Sequence, residues 1–141
     1  MKIKRLITDR EVCRLDPQQT VLEAVRAMVR GHCGSVAVME DGVLVGIFTE
    51  RDLMVRVVSK GRSPRNTMLG EVMTQNLYTT TPERTACEVR RDMRERHIRH
   101  VPVMEGGKLR TVLSTRDLLR ADFEEQREDA IAMSEYIRLA H

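Results

Sequence analysis

Aromatic residues are scarce in this sequence. Trp is absent, and only two Phe and two Tyr occur among the 141 residues. A hydrophobic core must therefore be aliphatic, built from Val, Leu, Ile, Ala and the nine Met. Any planar ring that binds to this chain must rest mainly on aliphatic side chains.

Long apolar runs, a strong excess of charge and paired cysteines are also missing. No run approaches the roughly 20 apolar residues of a membrane span, and Met1–Leu6 lacks the apolar stretch of a signal peptide. Cys13, Cys33 and Cys87 form no C-x-x-C pair, which favours free thiols in a reducing compartment. The net charge of +3 (24 basic minus 21 acidic residues) gives little indication of a nucleic-acid partner. We therefore expect a soluble, cytoplasmic protein.

The chain contains an internal repeat. Val12–Leu53 aligns with Leu77–Leu118 without a gap at a constant offset of 65, and 15 of the 42 aligned positions are identical. Unrelated segments would agree at only a few positions, so the repeat indicates a duplicated structural unit. Two copies are too few for a solenoid.

Each copy has the pattern of a β-α-β-β-α unit. A short extended segment precedes a Thr-x-x-Glu capping box and apolar residues at helical spacing. Two strands then flank a Gly-containing turn, and a second helix starts at Thr49 or Ser114. The predicted extended segments are Val12–Leu15 and Leu77–Thr80, the capping boxes are Thr20–Glu23 and Thr85–Glu88, and the first helices end near His32 and His97. The predicted strands are Ser35–Glu40, Val43–Phe48, Val101–Glu105 and Lys108–Leu113. Val43–Phe48 is apolar throughout and is expected to be buried on both faces.

Four motifs give the two copies a family likeness. Gly46–Leu53 fits a Gly-x-x-Thr-x-x-Asp pattern at the last strand-to-helix junction, and Thr111–Leu118 fits it except that Thr111 replaces Gly. Ile98–Val103 looks like a second-strand signature, and Glu71–Thr74 looks like the opening of a second unit. In order, spacing and duplication, these motifs resemble a tandem pair of cystathionine-β-synthase-type (CBS) domains of the small stand-alone bacterial or archaeal type.

The resemblance implies a mixed α/β fold in which two β-α-β-β-α units pack sheet to sheet about a pseudo-twofold axis. The expected organisation is a first CBS domain at 8–60, a linker at 61–70, a second CBS domain at 71–121 and a C-terminal helix at 122–141. Such pairs commonly associate, so a homodimer is expected. Phe123, Ala130 and Ile137 are roughly heptad-spaced on the last helix, which is therefore either a solvated end helix or a surface for a partner subunit.

The resemblance also implies a regulatory module that signals to a partner protein and has neither catalytic activity nor a catalytic cofactor. Its ligand would be an adenine nucleotide, AMP first and NAD or ATP as alternatives, in clefts between the units. Carboxylates make strong charge-assisted bonds to hydroxyls, and helix N-termini favour phosphate. The expected site residues are Asp52 and Asp117 on ribose, Thr49, Ser114, Arg99 and His100 on phosphate, Arg51 and Arg116 as further phosphate ligands, and Ser35 and Pro102 on the strands.

A second interpretation needs no ligand. The spacings Thr49-x-x-Asp52 and Ser114-x-x-Asp117 are also helix-capping patterns. On that interpretation the chain is a ligand-free dimerisation or adaptor module.

The two candidate sites are expected to be unequal. Gly34-Ser35 stands in the first copy where the second has Arg99-His100, and Thr111 replaces the motif glycine in the second. A side chain at Thr111 would crowd a close backbone approach. We expect the second site to prefer a phosphate-rich nucleotide such as AMP, and the first to take a bulkier ligand such as NAD or to stay empty.

Metal binding, nucleic-acid binding and catalysis have weaker support. His32 and His97 occupy equivalent helix ends without nearby residues at metal-ligand spacing, so favourable interaction with the helix dipole explains them. The Arg-rich stretch Glu88–His100 is interrupted by Asp92 and Glu95, which favours a solvated helix face. The sequence has no Walker loop, and no Ser/His/Asp set or Cys/His pair in the context of a catalytic motif.

Overall fold

The computed structural model of the protein describes residues 1–8 and 11–140. Positions 9 and 10, in the predicted first domain, and position 141, at the end of the predicted last helix, lie outside the described residues. The elements of the first unit are β1 (Arg14–Leu15), α1 (Val21–Gly31), β2 (Ser35–Glu40), β3 (Val43–Thr49) and α2 (Glu50–Asp52), which continues as a π-helix (Leu53–Val58). The remaining elements are a 3₁₀ helix (Ile3–Leu6), α3 (Leu69–Val72), α4 (Ala86–Glu95), β4 (His100–Glu105), β5 (Lys108–Ser114) and α5 (Thr115–Ala140).

The predicted fold class is confirmed, with two small sheets that carry helices. In the first unit β1 is parallel to β2, and β2 is antiparallel to β3. In the second unit β4 and β5 are antiparallel, and the predicted strand Leu77–Thr80 is reduced to a parallel bridge between Thr80 and Val103. The two sheets meet along β3 and β5, so the strand faces that point away from the helices form the boundary between the units.

The hairpin turns and the helix ends follow the sequence prediction. Asp41 and Gly42 have φ of 51° and 78°, and Gly106 and Gly107 have φ of 58° and 77°, as a turn with two left-handed residues requires. Both hairpins carry an irregularity at the same repeat position, Val38/Met39 and Val103/Met104. Helix α1 ends before His32 (φ 52°) and α4 ends before His97 (φ 56°).

Two details of the predicted elements are corrected by the structure. The hydroxyls of Thr20 and Thr85 accept the N–H of Glu23 and Glu88, as predicted. The glutamates do not complete the capping boxes, because Glu23 accepts from Gln19 and Glu88 accepts from Arg84. In β3, burial on both faces is limited to Gly46, Ile47 and Phe48, because the strand begins at the exposed hairpin tip.

Each unit completes its core with a segment from outside the predicted boundaries. Leu69, Val72 and Met73 are buried in the first core, although they follow the first repeat in sequence. Ile3, at the other end of the chain, is fully buried in the second core. The predicted linker at 61–70 therefore includes Leu69, a core residue of the first unit, and the motif Glu71–Thr74, which was predicted to open the second unit, packs on the first.

These two segments bind their units in the same way. The N–H of Val21 donates to the Thr67 carbonyl at 2.9 Å, and the N–H of Ala86 donates to the Met1 carbonyl at 2.8 Å. Antiparallel bridges join Thr20 to Met68 and Thr85 to Lys2. The duplication thus extends to the N-terminal segment, which is exchanged between the units.

Helix α5 crosses the predicted boundary between residues 121 and 122 without a break. Its first turns pack on the second core through Leu118 and Ala121, which are 0% and 2% exposed. Every residue from Gln126 to Ala140 is exposed. None of the helices in the described part of the chain has the length and hydropathy to cross a bilayer.

Candidate functional site

The two predicted Thr/Ser-x-x-Asp motifs form the N-termini of α2 and α5. In the first, the Asp52 N–H donates to Thr49 Oγ1 at 3.2 Å, and the Thr49 N–H donates to Asp52 Oδ2 at 3.0 Å. In the second, the Asp117 N–H donates to Ser114 Oγ at 3.1 Å, and the Ser114 N–H donates to Asp117 Oδ2 at 2.8 Å. Both motifs are therefore complete capping boxes.

The two aspartates differ in how far internal contacts occupy them. Asp52 is 7% exposed, and the Thr74 hydroxyl donates to its Oδ1 at 3.1 Å and lies 3.3 Å from its Oδ2. The Thr49 hydroxyl donates to Oδ2 at 3.2 Å, and Arg56 forms an ion pair with Oδ1 at 3.6 Å. Asp117 is half-buried and accepts its capping bond through Oδ2. Asp52 is thus a structural tie between α2 and the Thr74 segment, and Asp117 is the more available carboxylate.

His100 lies where the two units meet. If Gly34 carried a Cβ atom, that atom would be 3.1 Å from His100 Nε2 and 3.3 Å from Glu50 Cδ, so the small residue in the first repeat makes room for the imidazole of the second. Burial lowers the pKa of His100 below its usual range, and the carboxylates of Glu50 and Asp117 oppose that shift. The imidazole is therefore neutral near pH 7.

A basic pocket of about 570 Å³ lies beside α4 and the start of α5. Arg51 reaches it from the first unit and donates to the His97 carbonyl at 3.0 Å. Arg99, the other predicted phosphate ligand in this region, is exposed at its rim. The remaining lining residues are Arg90, Met93, Arg94, His97, Ile98, Thr115 and Leu119.

A second cavity, of about 360 Å³, opens between the two units beside Cys13; we refer to it as the first cleft. Ser35 is the one predicted site residue on its wall, and Thr111 and Val112 of β5 close it from the second unit. Burial is the main reason that the pKa of the Cys13 thiol is raised, with the neighbouring Cys33 adding to the shift, so this thiol is protonated at neutral pH. The other lining residues are Glu11, Val12, Ala27, Arg30, Gly31 and Cys33.

The equivalent positions of the second unit, the second cleft, are filled by side chains. The 65-residue offset replaces Cys13 by Tyr78, Ala27 by Asp92 and Gly31 by Arg96. The Tyr78 hydroxyl donates to Asp92 at 2.7 Å, and the Arg96 guanidinium lies 4.5 Å from the centre of the Tyr78 ring. Arg84 donates to both the Tyr78 hydroxyl and Asp92. A partly exposed polar network of larger side chains thus stands at the positions that are open in the first cleft.

The predicted site residues therefore fall into separate groups. Ser35 pairs with Thr49 across β2 and β3, and His100 pairs with Ser114 across β4 and β5. Pro102 is buried, and its carbonyl accepts from Thr80. Arg116 is exposed, and among the described residues no side-chain hydrogen bond or ion pair is assigned to it. The set does not converge on one cavity.

The motif glycine of the first copy, Gly46, is closely approached by another segment of the chain itself. A Cβ atom at Gly46 would lie 2.5 Å from Met73 Sδ and 3.1 Å from the Thr74 carbonyl oxygen. Thr111, at the equivalent position, is buried and lines the first cleft. From the sequence we did not predict that Cys13, Cys33, Arg30 and Thr111 line the first cleft. The presence of Cys13 in the first repeat where the second has Tyr78 was the sequence difference that could have indicated this cleft.

Comparison with known proteins agrees with this architecture. The CBS domain family profile matches residues 3–59 and 69–124. The Arabidopsis thaliana protein "CBS domain-containing protein CBSX3, mitochondrial" is 34% identical over 124 residues, which cover 84% of this chain and 60% of that protein. This chain therefore corresponds to about 60% of the length of that relative.

Two solved structures illustrate the fold. A CBS-domain protein from Burkholderia ambifaria MC40-6 has a TM-score of 0.85 at 27% identity, with 89% of this chain and 96% of that chain covered. The CBS domain pair of protein MJ0100, solved in complex with 5′-methylthioadenosine and S-adenosyl-L-methionine, has a TM-score of 0.79 at 18% identity, with 89% and 98% covered. The latter likeness concerns the fold alone. With two complete profile matches and this repeat architecture, the chain belongs to the CBS domain family and carries two CBS domains in tandem.

Proposed function

We propose that this protein is a regulatory module that binds an adenosine-containing ligand in the first cleft and passes its occupancy to a partner protein. Tandem CBS pairs are in general regulatory rather than catalytic. The observation that supports this ligand site is the open cavity of about 360 Å³ at the boundary between the units; the equivalent positions of the second unit carry the hydrogen-bonded side chains of Tyr78 and Asp92. The neighbour in complex with adenosine derivatives supports the chemical class.

The lining of the first cleft suits a nucleoside. Val12, Ala27 and Val112 offer aliphatic surface to a planar base, as the scarcity of aromatic residues requires. The hydroxyls of Ser35 and Thr111 are buried donors and acceptors that can orient the sugar or the base. Arg30 supplies a cation for a phosphate or carboxylate group. Few polar groups on an apolar wall are typical of small-molecule sites.

AMP is the proposed ligand ahead of NAD or ATP. Ligand pockets span about 300–1,000 Å³, and the first cleft lies at the small end of that range. A mononucleotide therefore fits better than a dinucleotide. Because β2 and β5 supply opposite walls, a ligand that favours one spacing of the two units would shift their packing, which is the physical basis proposed for signalling.

The proposed setting is the cytoplasm, with the chain acting as a homodimer. Cys13 and Cys33 line the cleft as free thiols, which is the state that a reducing compartment maintains.

A thermal-shift panel with matched cysteine variants tests the ligand site. AMP is expected to raise the unfolding midpoint of the wild-type chain, since a ligand that binds only the folded state stabilises it. Cys13→Tyr places in the first cleft the ring that fills the second, and is expected to abolish the shift. Cys87→Tyr adds the same ring at an exposed position of α4 and should leave the shift intact. Equal shifts in both variants would exclude the first cleft as the site.

The capping function of the two aspartates favours a second candidate, a ligand-free adaptor. Asp52 is occupied by Thr49, Thr74 and Arg56 without any ligand. If AMP, ATP, NAD and S-adenosylmethionine all leave the wild-type midpoint unchanged, the adaptor function replaces the ligand proposal. A raised midpoint that Cys13→Tyr abolishes would exclude the adaptor function.

A further inference from the structure

Among the described residues, the outer part of α5 has no tertiary partner. All 15 residues from Gln126 to Ala140 are exposed, and the last contacts with the body of the protein lie at Ala121, Asp122 and Glu125. A helix of this length is marginal in water, and most helices in proteins are stabilised by packing of one face. The outer helix therefore needs a surface to cover it.

One face of this helix carries the seam of a coiled coil. Its residues alternate at spacings of four and three, which is the period that keeps one stripe facing a partner helix. Phe123, Met133 and Ile137 on this seam are 70%, 61% and 52% exposed. In heptad terms the a positions are Phe123, Ala130 and Ile137, and the d positions are Leu119, Gln126, Met133 and Ala140.

The polar residues on and beside the seam favour a second copy in parallel orientation. Parallel helices place Gln126 opposite the Gln126 of the second copy, where the two amides can hydrogen-bond to each other. A full antiparallel overlap would place the Gln126 amide against the Ile137 side chain, which leaves a polar group unsatisfied. A parallel arrangement also places Asp122, a g position, near Arg127, an e position of the partner helix.

The charge of the outer helix argues against a membrane surface. From Gln126 to Ala140, Glu128, Asp129 and Glu135 outnumber Arg127 and Arg138, and Glu124 and Glu125 directly precede this stretch. Helices that lie on anionic membranes are rich in Lys and Arg on the polar face.

We propose that α5 pairs in parallel with the α5 helix of a second copy of this chain, through the seam from Leu119 to Ala140. The contact is independent of the first cleft and of any ligand. It assigns the exposed apolar residues of the seam, Phe123, Met133 and Ile137, to a homotypic interface.

Two isoleucines of nearly equal exposure provide a matched test by light scattering on the full-length chain. Ile137, on the seam, is 52% exposed, and Ile131, at a b position off the seam, is 50% exposed. Ile137→Asp is expected to reduce the molar mass of the assembly at least twofold. Ile131→Asp introduces the same charge off the seam and should preserve the wild-type mass. A wild-type chain that stays monomeric at about 100 µM, or an Ile137→Asp variant with the wild-type mass, would overturn the proposal.

Cysteine crosslinking tests the orientation in a full-length chain whose three native cysteines are replaced by Ser. Ile137→Cys is expected to form a disulfide with Cys at the same position of the second copy. In a mixture of Gln126→Cys and Ile137→Cys chains, a predominant mixed disulfide would mean an antiparallel pair and would refute the parallel arrangement.

Discussion

The two clefts between the CBS units occupy equivalent positions in the repeat, yet one is open and the other is filled. Cys13 in the first leaves a cavity of about 360 Å³. Tyr78 in the second is held by Asp92, Arg84 and Arg96. The framework around both clefts is the same, with matching hairpins, bulges, helix caps and exchanged end segments. The two copies of a duplicated fold can therefore keep the same backbone architecture while only one of them keeps an open cleft.

The comparison leads us to propose the opposite of the expected assignment of the two sites. The second repeat was expected to hold the nucleotide because it carries Arg99 and His100. In the structure, His100 is half-buried beside Gly34, and Arg99 lines a different pocket. The open space lies next to the smaller residues of the first repeat, because small side chains leave volume and large ones fill it.

The largest expected effect tests whether the cores of the two units depend equally on the segments that each receives from elsewhere in the chain. Ile3→Ala and Leu69→Ala each remove a fully buried side chain, and each is expected to lower the free energy of unfolding by about 2–5 kcal/mol. Urea denaturation measures both. Lys2→Ala, at an exposed neighbouring position, should cost less than about 0.5 kcal/mol. A neutral Ile3→Ala would mean that the N-terminal segment does not complete the second core.

A second prediction converts the filled cleft into an open one. Tyr78→Cys copies the first repeat, and it removes a half-buried ring and its hydrogen bonds, with an expected loss of about 2–3 kcal/mol of stability. If AMP binds the first cleft, calorimetry should then find a second equivalent of ligand. Tyr78→Phe keeps the ring and serves as the control, with a loss of about 1 kcal/mol and unchanged stoichiometry. Unchanged stability in Tyr78→Cys would contradict the filled-cleft description.

A third prediction separates the two capping aspartates. Asp52→Ala removes a cap and leaves the Thr74 hydroxyl without its acceptor, so unfolding stability should fall by about 2–3 kcal/mol. Asp117→Ala removes the carboxylate that accepts the Ser114 N–H and should cost about 1 kcal/mol. Equal losses in chemical denaturation would show that the contacts of Asp52 with Thr74 and Arg56 contribute nothing.

The smallest expected effect concerns pH and the histidine at the boundary of the units. Burial lowers the pKa of His100 in the folded chain, whereas an unfolded His titrates near pH 6.5. The unfolded state therefore binds more protons below about pH 6.5, and stability should fall as the pH decreases from there through the folded pKa. His100→Gln should flatten this slope between pH 5 and 7, as followed by urea midpoints. A variant slope equal to that of the wild type would exclude His100 as its source.

Local sequence patterns predicted much of the architecture of the two units. Some features depend only on residues within a few positions, so the sequence was sufficient to predict them. These features are the turn glycines, the Thr and Ser caps and the helix ends at His32 and His97. The role of Ile3 was not accessible, because its partners lie more than 80 residues away along the chain. The continuity of α5 was missed because the apolar pattern weakens at residues 122–129, although no Gly or Pro interrupts the helix there.

For the candidate site, too, some features followed from the sequence and others only from the tertiary structure. The sequence alone determined the duplication, the capping boxes and the inequality of the two copies, because these are properties of residue identity and spacing. Tertiary structure decided that Asp52 is tied to Thr74, that Gly46 accommodates Met73 and that Tyr78 fills one cleft while Cys13 leaves the other open. Those outcomes depend on which side chains share a volume, and that is established only when the segments before and between the repeats pack on the two sheets.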